Sequence, residues 1–160
     1  MAVRFIHNVM CIGKGKITVS TSGISPAIPD LADLGVQLAI SLHAPNDDLR
    51  SYIMPINKTY NLKSLIEACK LFVERSKCTG KRITFEYVML DGVNDSLVLA
   101  SEFAKLIKGI PSHINLIPFN KWPGAPYRCS PKSRIKAFGK ILTGNFNIPT
   151  TIRWSRGQGI

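Results

Sequence analysis

Two apolar rhythms take turns along this chain. Alternating or β-branched runs at Ile17–Thr21, Val36–Leu42, Arg82–Leu90, Ile114–Pro118 and Thr150–Trp154 each predict a strand. The third is the clearest, with Ile83, Phe85, Tyr87 and Met89 alternating with Thr84, Glu86 and Val88. Between the runs the period changes to that of a helix. Leu62, Leu65, Ile66, Cys69, Phe72 and Val73 fall at i, i+3, i+4 and i+7, forming one apolar stripe behind an Asn61 cap and ahead of a Thr79-Gly80 stop. A second helix places Leu97, Ala100, Ala104 and Ile107 on one face, capped by Asp95 or Ser96 and closed at Gly109. A third starts at Ser130-Pro131, an N-cap followed by Pro at the first position, and runs past Ile135, Phe138 and Leu142 to about Gly144. Shorter helices are expected from Pro26 to Leu34, stopped by Gly35, and from the Asn46-Asp47-Asp48 cap to about Ile53, stopped by Pro55. Residues 1–15 read as irregular; Phe5 to Ile12 could form a strand, but Gly13-Lys14-Gly15 breaks it.

Strand and helix therefore alternate, which is the α/β class, and strands joined by helices run parallel with right-handed crossovers. Five strands cannot close a (β/α)₈ barrel of about 250 residues, so the sheet is open or the chain is part of a larger barrel. In such folds ligands sit at the carboxyl ends of the strands. Here those ends are polar: Ser20-Thr21-Ser22-Gly23, then Ser41-Leu42-His43, then Asp91 with Asn94-Asp95, then Asn120. Polar groups converging on one rim suit a small polar ligand. Each also has a plainer reading. Ser20 and Ser22 can cap a turn, His43 can orient the Asn46-Asp47 loop, and Asn94-Asp95 can cap a helix. A histidine base needs a fixed carboxylate partner, and the sequence names none. Glu86 lies inside an apolar strand, so it must face a polar lumen or be paired. No G-x-G-x-x-G or G-x-x-x-x-G-K-[ST] segment occurs, which argues against dinucleotide and P-loop chemistry.

The net charge of +11 narrows the partners. Residues 1–102 hold eleven Lys/Arg against ten Asp/Glu, whereas residues 103–160 hold ten Lys/Arg and no acid. That basic C-terminal region favours a polyanion, or is a solvated face that aids solubility. Cys11, Cys69, Cys78 and Cys129 have no C-x-x-C spacing, so they predict neither a zinc site nor disulfides, and Cys69 reads as a core residue. No apolar run approaches the roughly 20 residues that span a bilayer, and no signal peptide is evident, so the expected location is cytoplasmic.

The blocks Thr18-Val-Ser-Thr-Ser-Gly23, Ala39-Ile-Ser-Leu-His-Ala-Pro-Asn46, Met54-Pro-Ile-Asn57, Glu86-Tyr-Val-Met-Leu90, Val93-Asn-Asp95 and Asn115-Leu-Ile-Pro-Phe-Asn120 occur in this order. Together they closely resemble the C-terminal half of the RlmN family of radical SAM enzymes, which methylate adenine C2 in 23S rRNA and tRNA; the related Cfr enzymes share much of the pattern. The resemblance runs from about Lys16 to Ile160 and implies residues 16–160 to be the C-terminal part of a partial (βα)₆ TIM-type barrel. It implies S-adenosylmethionine (SAM) and a [4Fe-4S] cluster as cofactors, with Ser20, Ser41, Leu42, His43 and Asn120 as SAM contacts. Backbone groups of Ser41-Leu42-His43 would hold the cofactor and Asn120 its adenine. RNA would be the partner of the basic region. The family's C-x-x-x-C-x-x-C cluster loop, its G-M-G-E-P segment and its methyl-carrying cysteine have no counterpart here. The resemblance thus implies a chain that lacks the early strands, the cluster and the methyl-carrying cysteine, and is inactive alone or completed by a second polypeptide such as a separate N-terminal fragment. A non-catalytic RNA-binding module and a relic of a degraded gene stand as alternatives. Loss of the first strands would leave Ile17–Ser20 as a bare hydrophobic edge.

Overall fold

The computed structural model describes residues 2–76 and 81–154, so Cys78, the expected Thr79-Gly80 stop and residues 156–160 lie outside it. Five strands form one parallel sheet in sequential order: β1 (Thr18–Thr21), β2 (Gln37–Ser41), β3 (Ile83–Met89), β4 (Ser112–Pro118) and β5 (Thr150–Ile152). Before β1 lies α1 (Ala2–Val9). Helices α2 (Asp47–Ile53) and α3 (Leu62–Arg75) lie between β2 and β3, α4 (Leu97–Leu106) between β3 and β4, and α5 (Lys132–Lys140) between β4 and β5. The expected α/β alternation is the observed fold. It is an open sheet, as part of a barrel would be.

Alternation decides the two faces of the sheet. Ile83, Phe85, Tyr87 and Met89 of β3 and Ile114 and Leu116 of β4 are fully buried against Leu65, Cys69 and Phe72 of α3, Phe103 of α4 and Ile135 and Phe138 of α5. Tyr87 stacks on Phe103 with ring centroids 5.2 Å apart and meets Phe138 at the same separation. The opposite face carries a polar row among apolar neighbours such as Ala39, Val88 and Ile117. Ser41, Glu86, Asn115 and Thr151 stand in lateral register across four neighbouring strands. Glu86 therefore faces the open side of the sheet, one of the two solutions its position allowed.

Several local expectations are corrected. Residues Ala2–Val9 form a helix where a strand was possible; a helix satisfies its own backbone, whereas a strand there would need a neighbour. Pro26 to Leu34 is not one helix but two short 3₁₀ turns, Ser25–Ala27 and Pro29–Leu31, because Pro29 lacks the N–H that a continuous helix would use. Leu97 is exposed, and Phe103 fills the buried face of α4 instead. Of the two expected caps, Asp95 or Ser96, it is Ser96 that caps that helix, accepting from the Leu99 N–H. Pro131, not Ser130, is the N-cap of α5, whose first helical residue is Lys132. After Lys140 the helix widens into a π turn over Ile141–Asn145, and β5 stops at Ile152 rather than Trp154.

Candidate functional site

β2 ends at Ser41, and two residues later His43 adopts φ 61°, a left-handed backbone that turns the chain off the sheet. That turn removes the strand that would have continued beside β3. The Leu42 N–H makes the last backbone bond, to the Glu86 carbonyl at 3.0 Å. The next exposed donor, the Val88 N–H, is taken by His43 Nδ1 at 3.1 Å. A ring nitrogen that accepts from a backbone amide carries no proton, so the proton of this imidazole sits on Nε2. Burial, aided by the positive charge of Arg50, holds the His43 pKa down to about 4. His43 is thus a neutral hydrogen-bond donor at the rim. No carboxylate among the described residues orients it, and it is not arranged as a general base.

Asn94 locks this corner. Its side chain is fully buried, accepts from the Leu90 N–H at 2.8 Å, and donates to the carbonyls of His43 at 2.9 Å and Val88 at 2.7 Å. Its own backbone carbonyl accepts from the Tyr87 hydroxyl at 2.8 Å. Asp95 accepts from the Gly92 N–H at 3.1 Å. These two residues were candidates for a ligand-facing strand end; the Asn94 amide is instead spent on bonds inside the protein.

Beneath the rim lies Arg50, which nothing in the sequence pattern singled out. It is fully buried on α2, and its guanidinium donates to the carbonyls of Ser22 at 2.7 Å, Ser41 at 3.2 Å and Leu42 at 3.1 Å, and to Asn57 Oδ1 at 2.8 Å. Burial lowers its pKa, partly offset by Asp47. Asn57 passes the link on to Asp47 Oδ1 at 2.9 Å, and the same oxygen accepts from the Leu62 N–H at 2.8 Å. One cation thereby ties the ends of β1 and β2 to the starts of α2 and α3. Gly23 is required beside it: φ is +112°, and a Cβ would stand 3.1 Å from Arg50 Nη2.

The five expected SAM-binding residues divide accordingly. Ser20 is exposed on β1, one residue before its end. Ser41 is half-buried at the end of β2, in the polar row beside Glu86. Leu42 points its side chain into the core, and both its N–H and its carbonyl are already engaged. His43 presents Nε2–H. Asn120 is exposed, two residues beyond β4. All five belong to the carboxyl ends of β1, β2 and β4. The loop after Asn120 is pinned back to β3 by a bridge between Leu90 and Cys129 and by the Asp91 N–H to the Arg128 carbonyl at 2.9 Å.

For a metal or cluster the donor set does not fit. No group of three or more His, Cys, Asp or Glu side chains converges among the described residues. Cys11 is exposed, Cys129 is half-buried, and burial pushes the Cys69 thiol up to about 12, where it stays protonated. No helix among these residues is long and apolar enough to cross a membrane.

Comparison with known proteins decides the family. The model of the radical SAM superfamily matches residues 3–103, well over half of the chain. The chain belongs to the radical SAM superfamily. Within it, the chain is 47% identical over 152 residues to the dual-specificity RNA methyltransferase RlmN of Hyphomonas neptunium (strain ATCC 15444), covering 94% of this chain and 38% of that protein. Its identity to RlmN of Sinorhizobium fredii (strain NBRC 101917 / NGR234) is 51%, with 94% of this chain and 36% of that protein covered. The chain thus spans little more than a third of the length of these curated relatives. A crystal structure of a radical SAM methyltransferase from Sphaerobacter thermophilus superposes with TM-score 0.90 at 49% identity, over 97% of this chain and 46% of that one. A domain of pyruvate-formate lyase-activating enzyme from Bacteroides vulgatus ATCC 8482 matches at TM-score 0.66 and 15% identity, over 86% of this chain and 80% of that one, and shares the fold alone.

Proposed function

We propose that this chain is the C-terminal part of the core of an RlmN-type RNA methyltransferase, acting on adenine C2 of 23S rRNA and tRNA in the cytoplasm. The observation that carries the reading is its 47–51% identity to RlmN proteins over 94% of its length. SAM, which supplies the methyl group, would lie across the rim. There the His43 Nε2–H offers one fixed, neutral donor and Ser41 a hydroxyl beside it, with Ser20 and Asn120 flanking on β1 and after β4. Leu42, its side chain in the core, would contribute only the second lone pair of its carbonyl. Arg50 and Asn94 touch no ligand; they hold the rim at the geometry these donors need.

The described residues supply no ligands for a [4Fe-4S] cluster, and residues 16–160 would act together with a segment that carries it. Two measurements test the reading. Disruption of the gene that carries this sequence should remove 2-methyladenosine from digests of 23S rRNA and tRNA, read by mass spectrometry; an unchanged digest overturns the function and favours a non-catalytic RNA-binding role. Titration calorimetry of SAM into the chain should show binding weakened at least tenfold by His43→Asn in a variant that keeps its circular dichroism spectrum.

A further inference from the structure

We infer that the outward face of α5, with the loop that leads into it, is a docking surface for the sugar–phosphate backbone of RNA; this deepens the RNA reading above and rests on it. Lys132, Lys136 and Lys140 recur every four residues and all are exposed, so they line one side of the helix with about 6 Å between successive positions. Arg134 is exposed on the other flank of the helix. No Asp or Glu follows Glu102, so nothing on or near α5 in sequence pairs with these cations. On α3, by contrast, the exposed Lys63 and Lys70 are interleaved with Glu67 and Glu74.

The first-turn charges, Lys132 and Arg134, also oppose the field of their own helix, whereas Lys140 in the last turn agrees with it. The amino end of a helix is its positive pole and favours carboxylates. α2 obeys this with Asp47 and Asp48 in its first turn. α5 has no acid in its first turn, no side-chain bond at its Pro131 cap, and places Lys132 and Arg134 there instead. Local rules broken at a cost to stability mark positions kept for another purpose. An anion bound across that turn would relieve the repulsion and use the free N–H groups as well.

The loop adds the second half of a nucleic-acid surface. Lys121-Trp122 and Tyr127-Arg128 place cations beside aromatics. Phe119 anchors both rings, with centroids 5.2 Å from Trp122 and 6.2 Å from Tyr127, while Trp122 remains 55% exposed. An indole held on a buried ring is a ready stacking platform for an unpaired base. A row of cations on the helix that follows a loop with an exposed Trp suits phosphates and bases better than an acidic peptide, which offers no base to stack. Because the loop is pinned to the end of β3, the surface begins at the rim and runs away from it along α5. A nucleotide entering the rim would lay its flanking backbone there.

The test uses the whole chain and a fluorescein-labelled RNA hairpin with an unpaired loop, read by anisotropy over a series of salt concentrations. The triple variant K132A/K136A/K140A should bind at least tenfold more weakly at low salt, and its log–log salt slope should fall by about two to three units, roughly one for each phosphate that is no longer neutralised. K63A/K70A should match the wild type. Trp122→Ala should weaken the hairpin more than a fully paired duplex. The inference is overturned if the triple variant, with unchanged circular dichroism and Tm, binds with the wild-type slope. It is equally overturned if the wild type binds heparin or poly-glutamate but not the hairpin. Failure of the methyltransferase reading is separate: an unchanged 2-methyladenosine level would leave hairpin binding by α5 intact.

Discussion

His43 holds a left-handed backbone at φ 61°, which costs a residue with a Cβ on the order of 1–2 kcal/mol, and its ring offsets this by taking the Val88 N–H. That bond needs neutral imidazole, which makes the corner sensitive to acid. The unfolded pKa is 6.5 and the folded one about 4, so the folded state binds fewer protons between these values. Stability contributed by neutral His43 is therefore complete above pH 6.5 and is lost as pH falls toward 4, by at most about 3 kcal/mol. Urea unfolding between about pH 7.5 and 4.5 should show this loss in the wild type and lack it in His43→Asn, which tolerates the backbone but does not titrate. An equal slope in both would place the pH sensitivity elsewhere. Arg50 allows a second prediction. Arg50→Met strands three carbonyls and the Asn57 amide in a buried site, and should cost about 3–5 kcal/mol in the same assay. Arg50→Lys keeps the charge but not the five-donor fork, so it should recover only part of that. The sequence could suggest His43, since it ends an apolar run, but not Arg50. An arginine on a seven-residue helix reads as solvated until the chain brings Ser22, Ser41 and Leu42 around it.

At the level of elements, legibility followed the strength of periodicity. Six apolar residues at helical spacing located α3, and strict alternation located β3 together with the direction of every side chain on it. The errors came where one residue could serve two partners. Leu97 fits the spacing of the α4 stripe, but it lies in the first turn and stays exposed, whereas Phe103 reaches Phe85 and Tyr87. Ser130 looked like the cap of α5, yet its hydroxyl is buried without a partner among the described residues and Pro131 occupies the cap position. This start of α5 is open to improvement. Pro131→Asp would put a hydrogen-bond acceptor and a negative charge where Lys132 and Arg134 repel the helix field, and should add up to about 1 kcal/mol of stability. The same carboxylate should weaken hairpin binding. If α5 is basic only for solubility, the variant will gain stability with no loss of RNA affinity; thermal melts and anisotropy on one preparation distinguish the two.

For the molecule as a whole, the parallel sheet could be read from the alternation of five strands with helices, because right-handed crossovers leave few other arrangements, while the sequential strand order comes from the structure. The polar row could not be read, since it depends on register: Ser41, Glu86, Asn115 and Thr151 come together only when four strands align. Register also changes the expected liability of β1. The anticipated hydrophobic edge is mostly hydroxyl, with Thr18 and Ser20 exposed and Val19 half-buried beside Leu38. Its backbone still matters. β1 pairs only with β2 in the described sheet, so one row of N–H and carbonyl groups faces outward over four residues, while the opposite edge, β5, is blunted to three. An edge of this kind pairs with other chains through its backbone unless a charge, a proline or a covering segment blocks it, and β1 carries no charge. The isolated 160-residue chain should therefore self-associate reversibly as concentration rises, seen as a shift in sedimentation velocity. Thr18→Lys, a charge at an exposed edge position outside the core, should return it toward monomer with no change in Tm. A wild-type chain that sediments as a monomer throughout would mean that the outer edge of β1 is already satisfied within the molecule.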